Sequence, residues 1–137
     1  MDPRHGGDES LEALTARLAK LPDTPMVLTG GGGWHYYFKH PGPGVHVPNS
    51  IGQLGPGLDV RGDGGYVVAP PSIHSSGRNY AWELSGRIDE VPIAPLPHRH
   101  LELIRKPVAG EHIARPPSVW ADRFSRRDRV LANDSRQ

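Results

Sequence analysis

The chain has 137 residues, a mass of 15.0 kDa and a formal net charge of +1: enough for one small domain, and too balanced for the overall charge to name a partner. Hydrophobic residues make up 36%, and glycine and proline together nearly a quarter, which argues against a large core or a helical bundle and for short strands, turns and some unstructured length. Cysteine is absent and no apolar run reaches membrane-spanning length, so disulfides, thiolate metal sites and a membrane helix are excluded and a reducing cytoplasm is the expected location.

In chain order, Asp8-Glu9-Ser10 precedes Leu11, Leu14, Leu18 and Leu21. That spacing predicts an amphipathic helix from about Glu9 to Lys20, capped by an acid, stopped by Pro22 and covering a sheet. Met26 to Thr29 is a short apolar run and predicts a strand. Gly30 to Gly33 is a turn, and the aromatic run Trp34 to Phe38 predicts the returning strand. His40 to Gly57 is rich in proline, glycine and asparagine and reads as a loop, with room for a short strand near Val45 to Val47. Leu58 to Arg61 alternates like a half-buried strand, and Tyr66 to Ala69 reads as a continuous apolar strand ended by Pro70-Pro71. Asn79 to Glu83 is a further strand candidate and Leu96 to Ile104 a short helix. From Arg105 the chain carries eight cations against four acids, with no persistent period. It is expected to be a linker or solvated basic tail over 105–137, with weak attraction to phosphate as the functional alternative.

Chemistry-bearing residues concentrate in the middle. His35 follows four glycines on a strand pattern. Glycines there allow a ligand close to the backbone, but the local pattern alone favours a hairpin turn with a satisfied histidine. No lysine or helix follows, so this is not a P-loop. Asp59 shares a strand face with Arg61 and could ligate a hard cation, or simply pair with Arg61 or Arg78 on the surface. Asp63 lies in Arg-Gly-Asp-Gly-Gly and could cap its own turn. No two histidines show the helical HExxH spacing of a zinc site. Ser72 to Ser76 lacks the Gly-x-Ser-x-Gly elbow of a hydrolase.

Two longer strings carry a resemblance. Val27-Leu28-Thr29-Gly30-Gly31-Gly32-Gly33-Trp34-His35-Tyr36-Tyr37-Phe38, with Gly57-Leu58-Asp59-Val60-Arg61-Gly62-Asp63-Gly64-Gly65-Tyr66-Val67-Val68-Ala69-Pro70-Pro71-Ser72, closely resembles the bifunctional DNA primase/polymerase (prim-pol) N-terminal family of the archaeo-eukaryotic primases. Tyr80 to Glu83 and Val91 to Pro97 resemble its closing segment. The resemblance implies a prim-pol domain over 1–104, with an α+β fold: a mostly antiparallel sheet with one helix packed on a face, part of an RNA-recognition-motif-like core. It also implies DNA-templated nucleotidyl transfer from dNTP or NTP with Mg²⁺ or Mn²⁺, in the replication of a mobile element, with DNA template and nucleoside triphosphates as partners and a helicase domain as a possible neighbour. Carried over residue by residue, Gly33-Trp34-His35 is the second motif, with His35 at the triphosphate. Leu58-Asp59 is the third, with Asp59 as catalytic metal ligand. Gly33, Arg61 and Asp63 are expected in the nucleotide site.

The family's first motif is a pair of acids one residue apart. Here Asp2 matches the second acid, as a metal ligand, and Met1 stands where the middle residue would be. Two-metal phosphoryl transfer needs several carboxylates, so Asp2 and Asp59 leave the clamp one short. The expectation is a split or truncated domain, or a start further upstream, that is inactive on its own. A non-catalytic nucleotide- or DNA-binding module and a decayed remnant are the alternatives.

Overall fold

Helix formation starts earlier than the leucine spacing predicts. Asp2 accepts a hydrogen bond from the Arg4 N–H and caps a 3₁₀ turn, Pro3–His5, whose first position suits the fixed φ of proline. Gly6 then adopts φ 78°, and helix α1 runs Gly7–Leu18. The N-cap is thus Gly6, not an acid. Asp8 and Glu9 occupy the first turn, where their charge still complements the helix dipole.

The computed structural model describes residues 1–106. Strand β1 (Met26–Leu28) is the centre of a three-stranded antiparallel sheet, flanked by β2 (Trp34–Tyr36) and β4 (Ala81–Trp82). Val27, opposite both His35 and Trp82, is fully buried, as a β-branched residue on a central strand should be. Strand β3 (Phe38–Lys39) pairs in parallel with β5 (Ala94–Pro95), an element the sequence did not suggest. Buried Thr24 ties the two sheets together: its hydroxyl donates to the Tyr37 carbonyl and accepts from the Ala94 N–H at 3.2 Å. The fold is α+β with a mostly antiparallel sheet, as expected.

Three predicted strands do not form. Leu58 to Arg61 makes only an isolated bridge, Val60 opposite Ser50, because the chain around it is consumed by turns. Val45 to Val47 forms no ladder. Instead Val47 offers its carbonyl to Asp63 N–H at 2.8 Å and its N–H to the Asp63 carboxylate at 3.0 Å. Tyr66 to Ala69 is also irregular and exposed, with Tyr66 at 84%. Its apolar run met a strand criterion, but among the described residues no ladder partner reaches it.

Helix α2 (His98–Arg105) matches the short helix expected near the end of the domain. It buries His100 and Ile104. Gln53 caps its C-terminus from far away in sequence, donating to the carbonyls of Leu103 (3.0 Å), Ile104 (3.2 Å) and Lys106 (2.8 Å). That cap anchors the loop leading to Asp59. The expected basic tail, beyond Arg105 and Lys106, lies outside the described residues.

Candidate functional site

The site assembles where three segments lie side by side. Met1 and Trp34 exchange both backbone bonds: the Met1 ammonium donates to the Trp34 carbonyl at 2.8 Å and the Trp34 N–H to the Met1 carbonyl at 2.9 Å. The Asp2 N–H then donates to the Gly57 carbonyl at 2.8 Å. The chain start is therefore laid against β2 on one side and against the approach to Asp59 on the other. Two glycines permit this. A Cβ at Gly33 would stand 2.5 Å from the Met1 carbonyl oxygen, and one at Gly57 would stand 2.6 Å from the Asp2 carbonyl oxygen. Gly57 also has φ 72°, a region that L side chains rarely adopt.

Asp2, Gly33, His35, Asp59, Arg61 and Asp63 all line one cavity of about 920 Å³, whose apolar wall includes Leu14, Phe38, Leu58 and Ile104. His35 and Asp59 thus face the same space. Both lie within reach of the Met1 ammonium's charge. The Met1 ammonium is pushed below its ordinary value by burial, a shift opposed by the charges of Asp59 and Asp2. The His35 imidazole is lowered first by burial, then by the Met1 ammonium and the Arg61 guanidinium. His35 is therefore neutral at pH 7. Its ring lies among aromatics, with centroids 6.1 Å from Tyr80 and 6.4 Å from Tyr37, and its Nδ1 is buried without a partner.

The acids are differently occupied. Asp2 is gripped by Arg4, whose Nε and Nη2 donate at 3.1 and 3.0 Å, and by the His5 ring at 2.9 Å. Those bonds, Arg4 first, hold its carboxyl well below the usual carboxylate range. Asp59 accepts from Gly52 N–H at 3.2 Å and from Arg61 Nη2 at 3.3 Å, both long, leaving it the more available of the two. Arg61 otherwise spends Nη1 on the Ser50 and Val60 carbonyls at 3.4 and 3.3 Å.

Asp63 behaves as a turn acid. Its carboxylate accepts from Val47 N–H and pairs with His46 at 2.8 Å and His40 at 2.9 Å, and the Val47 bond is the main cause of its lowered pKa. Gly33 spends its N–H on Thr29 Oγ1 at 2.9 Å, so it shapes the site by having no side chain rather than by donating to a ligand. Arg4, His74 and Tyr80 also line the cavity, and sequence reasoning gave them no role there. The available signals were the Ser72 to Ser76 run for His74 and the closing-segment resemblance for Tyr80.

The model of the bifunctional DNA primase/polymerase N-terminal family matches residues 1–99. The chain belongs to that family. No curated protein and no solved structure matches it. Carboxylates such as those of Asp2 and Asp59 are the donor type that Mg²⁺ and Mn²⁺ take, with water and substrate phosphate completing the shell. Among the described residues no group of three or more histidines and acids is arranged to hold a metal. No helix of the described residues is long and apolar enough to cross a membrane.

Proposed function

We propose that this prim-pol domain binds a nucleoside triphosphate in the cavity beside β2 and acts in nucleotidyl transfer onto a DNA-templated strand, in the replication of a mobile element. One observation carries the reading: the segments bearing Asp2, His35 and Asp59 are hydrogen-bonded neighbours around a single cavity. His35, lining the cavity and held neutral by burial, is suited to contact the triphosphate. Asp59 and Asp2 would hold Mg²⁺ or Mn²⁺, and Arg61 pairs with Asp59 at 3.3 Å. A bound cation would neutralise charge that develops on the transferring phosphoryl group. Tyr37 and Tyr80, which line the cavity, offer flat apolar surface of the kind that stacks on bases.

Primer extension with Mn²⁺, a templated DNA duplex and dNTPs tests this reading. Extension by the wild type that Asp59→Ala abolishes is the outcome that supports transfer. Extension unchanged in Asp59→Ala would remove Asp59 from the site. A second reading, nucleotide or DNA binding without transfer, is favoured because no group of three or more histidines and acids among the described residues is arranged to hold a metal. It predicts dNTP binding by calorimetry that is lost in His35→Ala, with no extension.

A further inference from the structure

Both oxygens of the Asp59 carboxylate are oriented from one short segment. Oδ1 accepts from the Gly52 N–H at 3.2 Å, a proton that Gly52 shares with the Leu58 carbonyl at 3.1 Å. Oδ2 accepts from Arg61 Nη2 at 3.3 Å, and the same guanidinium donates through Nη1 to the Ser50 carbonyl at 3.4 Å. Ser50 and Val60 exchange both backbone bonds, at 3.0 and 2.9 Å, so residues 50–52 lie antiparallel to the stretch that carries Asp59. Where residues 50–52 sit therefore decides where the carboxylate points. The two contacts to the carboxylate are long, which limits its rotation and leaves lone pairs for a cation.

The next residue fixes that segment to the rest of the domain. Toward α1 the turn is held by its backbone: a Cβ at Gly55 would stand 2.8 Å from the Ser10 Cβ, and the Gly57 carbonyl accepts from the Asp2 N–H at 2.8 Å. Toward α2 it is held by a side chain. Gln53 Nε2 donates to the carbonyls of Leu103, Ile104 and Lys106, and among the described residues no other hydrogen bond joins residues 50–60 to α2. The last carbonyls of a helix lack partners of their own and carry the negative end of its dipole, so an amide donor is drawn to them. Helix α2 is itself seated by buried His100 and Ile104. Gln53 does not line the cavity, whereas Gly52 and Asp59 do, so any effect it has on a ligand passes through them.

We propose that Gln53 is a positioning residue for Asp59: its amide pins residues 50–53 to the end of α2 and so keeps the Asp59 carboxylate presented to the cavity. This rests on the reading of Asp59 as a cation ligand and extends that reading to a residue outside the cavity and outside the motifs. Groups that orient a metal ligand typically change metal affinity about 10–100-fold when they are lost. Gln53 acts one residue further back, through Gly52, which puts its expected effect at about the lower end, tenfold.

The test is Mn²⁺ binding to the full chain, read from the paramagnetic resonance signal of free Mn²⁺, with every variant held at a temperature where circular dichroism shows it folded. Gln53→Met keeps the length of the side chain and removes its donors, and is expected to weaken Mn²⁺ binding about tenfold. Gln53→Lys returns donors to the α2 carbonyls, where a cation is favourable, and is expected to restore it. Wild-type affinity in folded Gln53→Met overturns the proposal. A loss that Gln53→Lys does not restore assigns the effect to packing at residue 53 and also overturns it. The wild type supplies an arm that needs no substitution. Coupling between two sites is reciprocal, so saturating Mg²⁺ is expected to slow solvent exchange of the Gln53 side-chain amide protons, followed by NMR. Exchange that Mg²⁺ leaves unchanged overturns the proposal. Mn²⁺ binding that Asp59→Ala abolishes and Gln53→Met leaves intact overturns the positioning role alone. No Mn²⁺ binding by the wild type, or binding that Asp59→Ala leaves intact, overturns the cation reading of Asp59 and the positioning role with it.

Discussion

At the scale of single residues, the site is defined by how far each titratable group is already committed. Asp63 is tied to Val47, His46 and His40, so its carboxylate holds the loop together. Asp63→Asn is expected to loosen the His40 to Val47 loop and lower Tm, with nucleotide affinity retained. Calorimetric unfolding beside dATP titration measures both. The acids and histidines also set a pH profile. The folded-state pKa values of Asp2 and Asp63 lie below the ordinary 3.8, so their contribution is present above that pH and is lost as pH falls through the lowered values. His35 and His100 lie below the ordinary 6.5 through burial, so the unfolded chain takes the proton first and stability is lost as pH falls below 6.5. Two descending steps in Tm are therefore expected on acidification, one beginning near 6.5 and one below 3.8. A Tm constant from pH 8 to 5 would contradict the burial of the two imidazoles. His100 is 2% exposed and neither ring nitrogen has a partner. His100→Leu is expected to raise stability by about 1–3 kcal/mol, the scale of an unsatisfied buried polar group, as read by denaturant unfolding.

At the scale of elements, glycine backbone and long-range caps matter more than propensity. Gly57→Ala combines a left-handed φ with an approach of 2.6 Å to both the Asp2 carbonyl and the Gly7 N. It is expected to cost about 1–3 kcal/mol in strain alone and to weaken dATP binding, because the Asp2 and Asp59 segments separate. Unchanged affinity in Gly57→Ala would show that their contact is dispensable. The same reasoning explains which elements were legible. The helix, β1, β2 and α2 have local signals: leucine spacing, an apolar run after proline, aromatics after a glycine turn. Leu58 to Arg61 and Tyr66 to Ala69 showed strand patterns of equal strength. They failed because a strand needs a partner, and the segments beside them spend their hydrogen bonds on turns around Asn49, Asp63 and Gly65.

At the scale of the whole domain, the core is small. Its buried apolar side chains among the described residues are Leu14, Val27, Val47, Leu58 and Ile104, and the 920 Å³ cavity lies alongside several of them. Marginal stability and a large open site make ligand linkage easy to see. A ligand at a hundred times its Kd adds about 2.7 kcal/mol to the folded state. Saturating dATP with Mg²⁺ is thus expected to raise Tm by several degrees in thermal-shift measurements. No shift at concentrations that saturate binding in calorimetry would place the nucleotide outside the folded domain.

The sequence by itself determined the class of fold, the helices at either end, the β1–β2 hairpin and the two motifs that carry His35 and Asp59. These depend on local spacing and on strings long enough to identify a family. Only the tertiary structure decided what surrounds them. It laid Met1-Asp2 between β2 and Gly57, committed Asp63 and the Gly33 N–H to other partners, and brought Gln53 to the last carbonyls of α2 from a distant part of the chain. Hydrogen bonds and close approaches between distant segments leave no periodicity in a sequence, whereas the residues that make them possible (glycines without a side chain in the way) look the same as those of any turn.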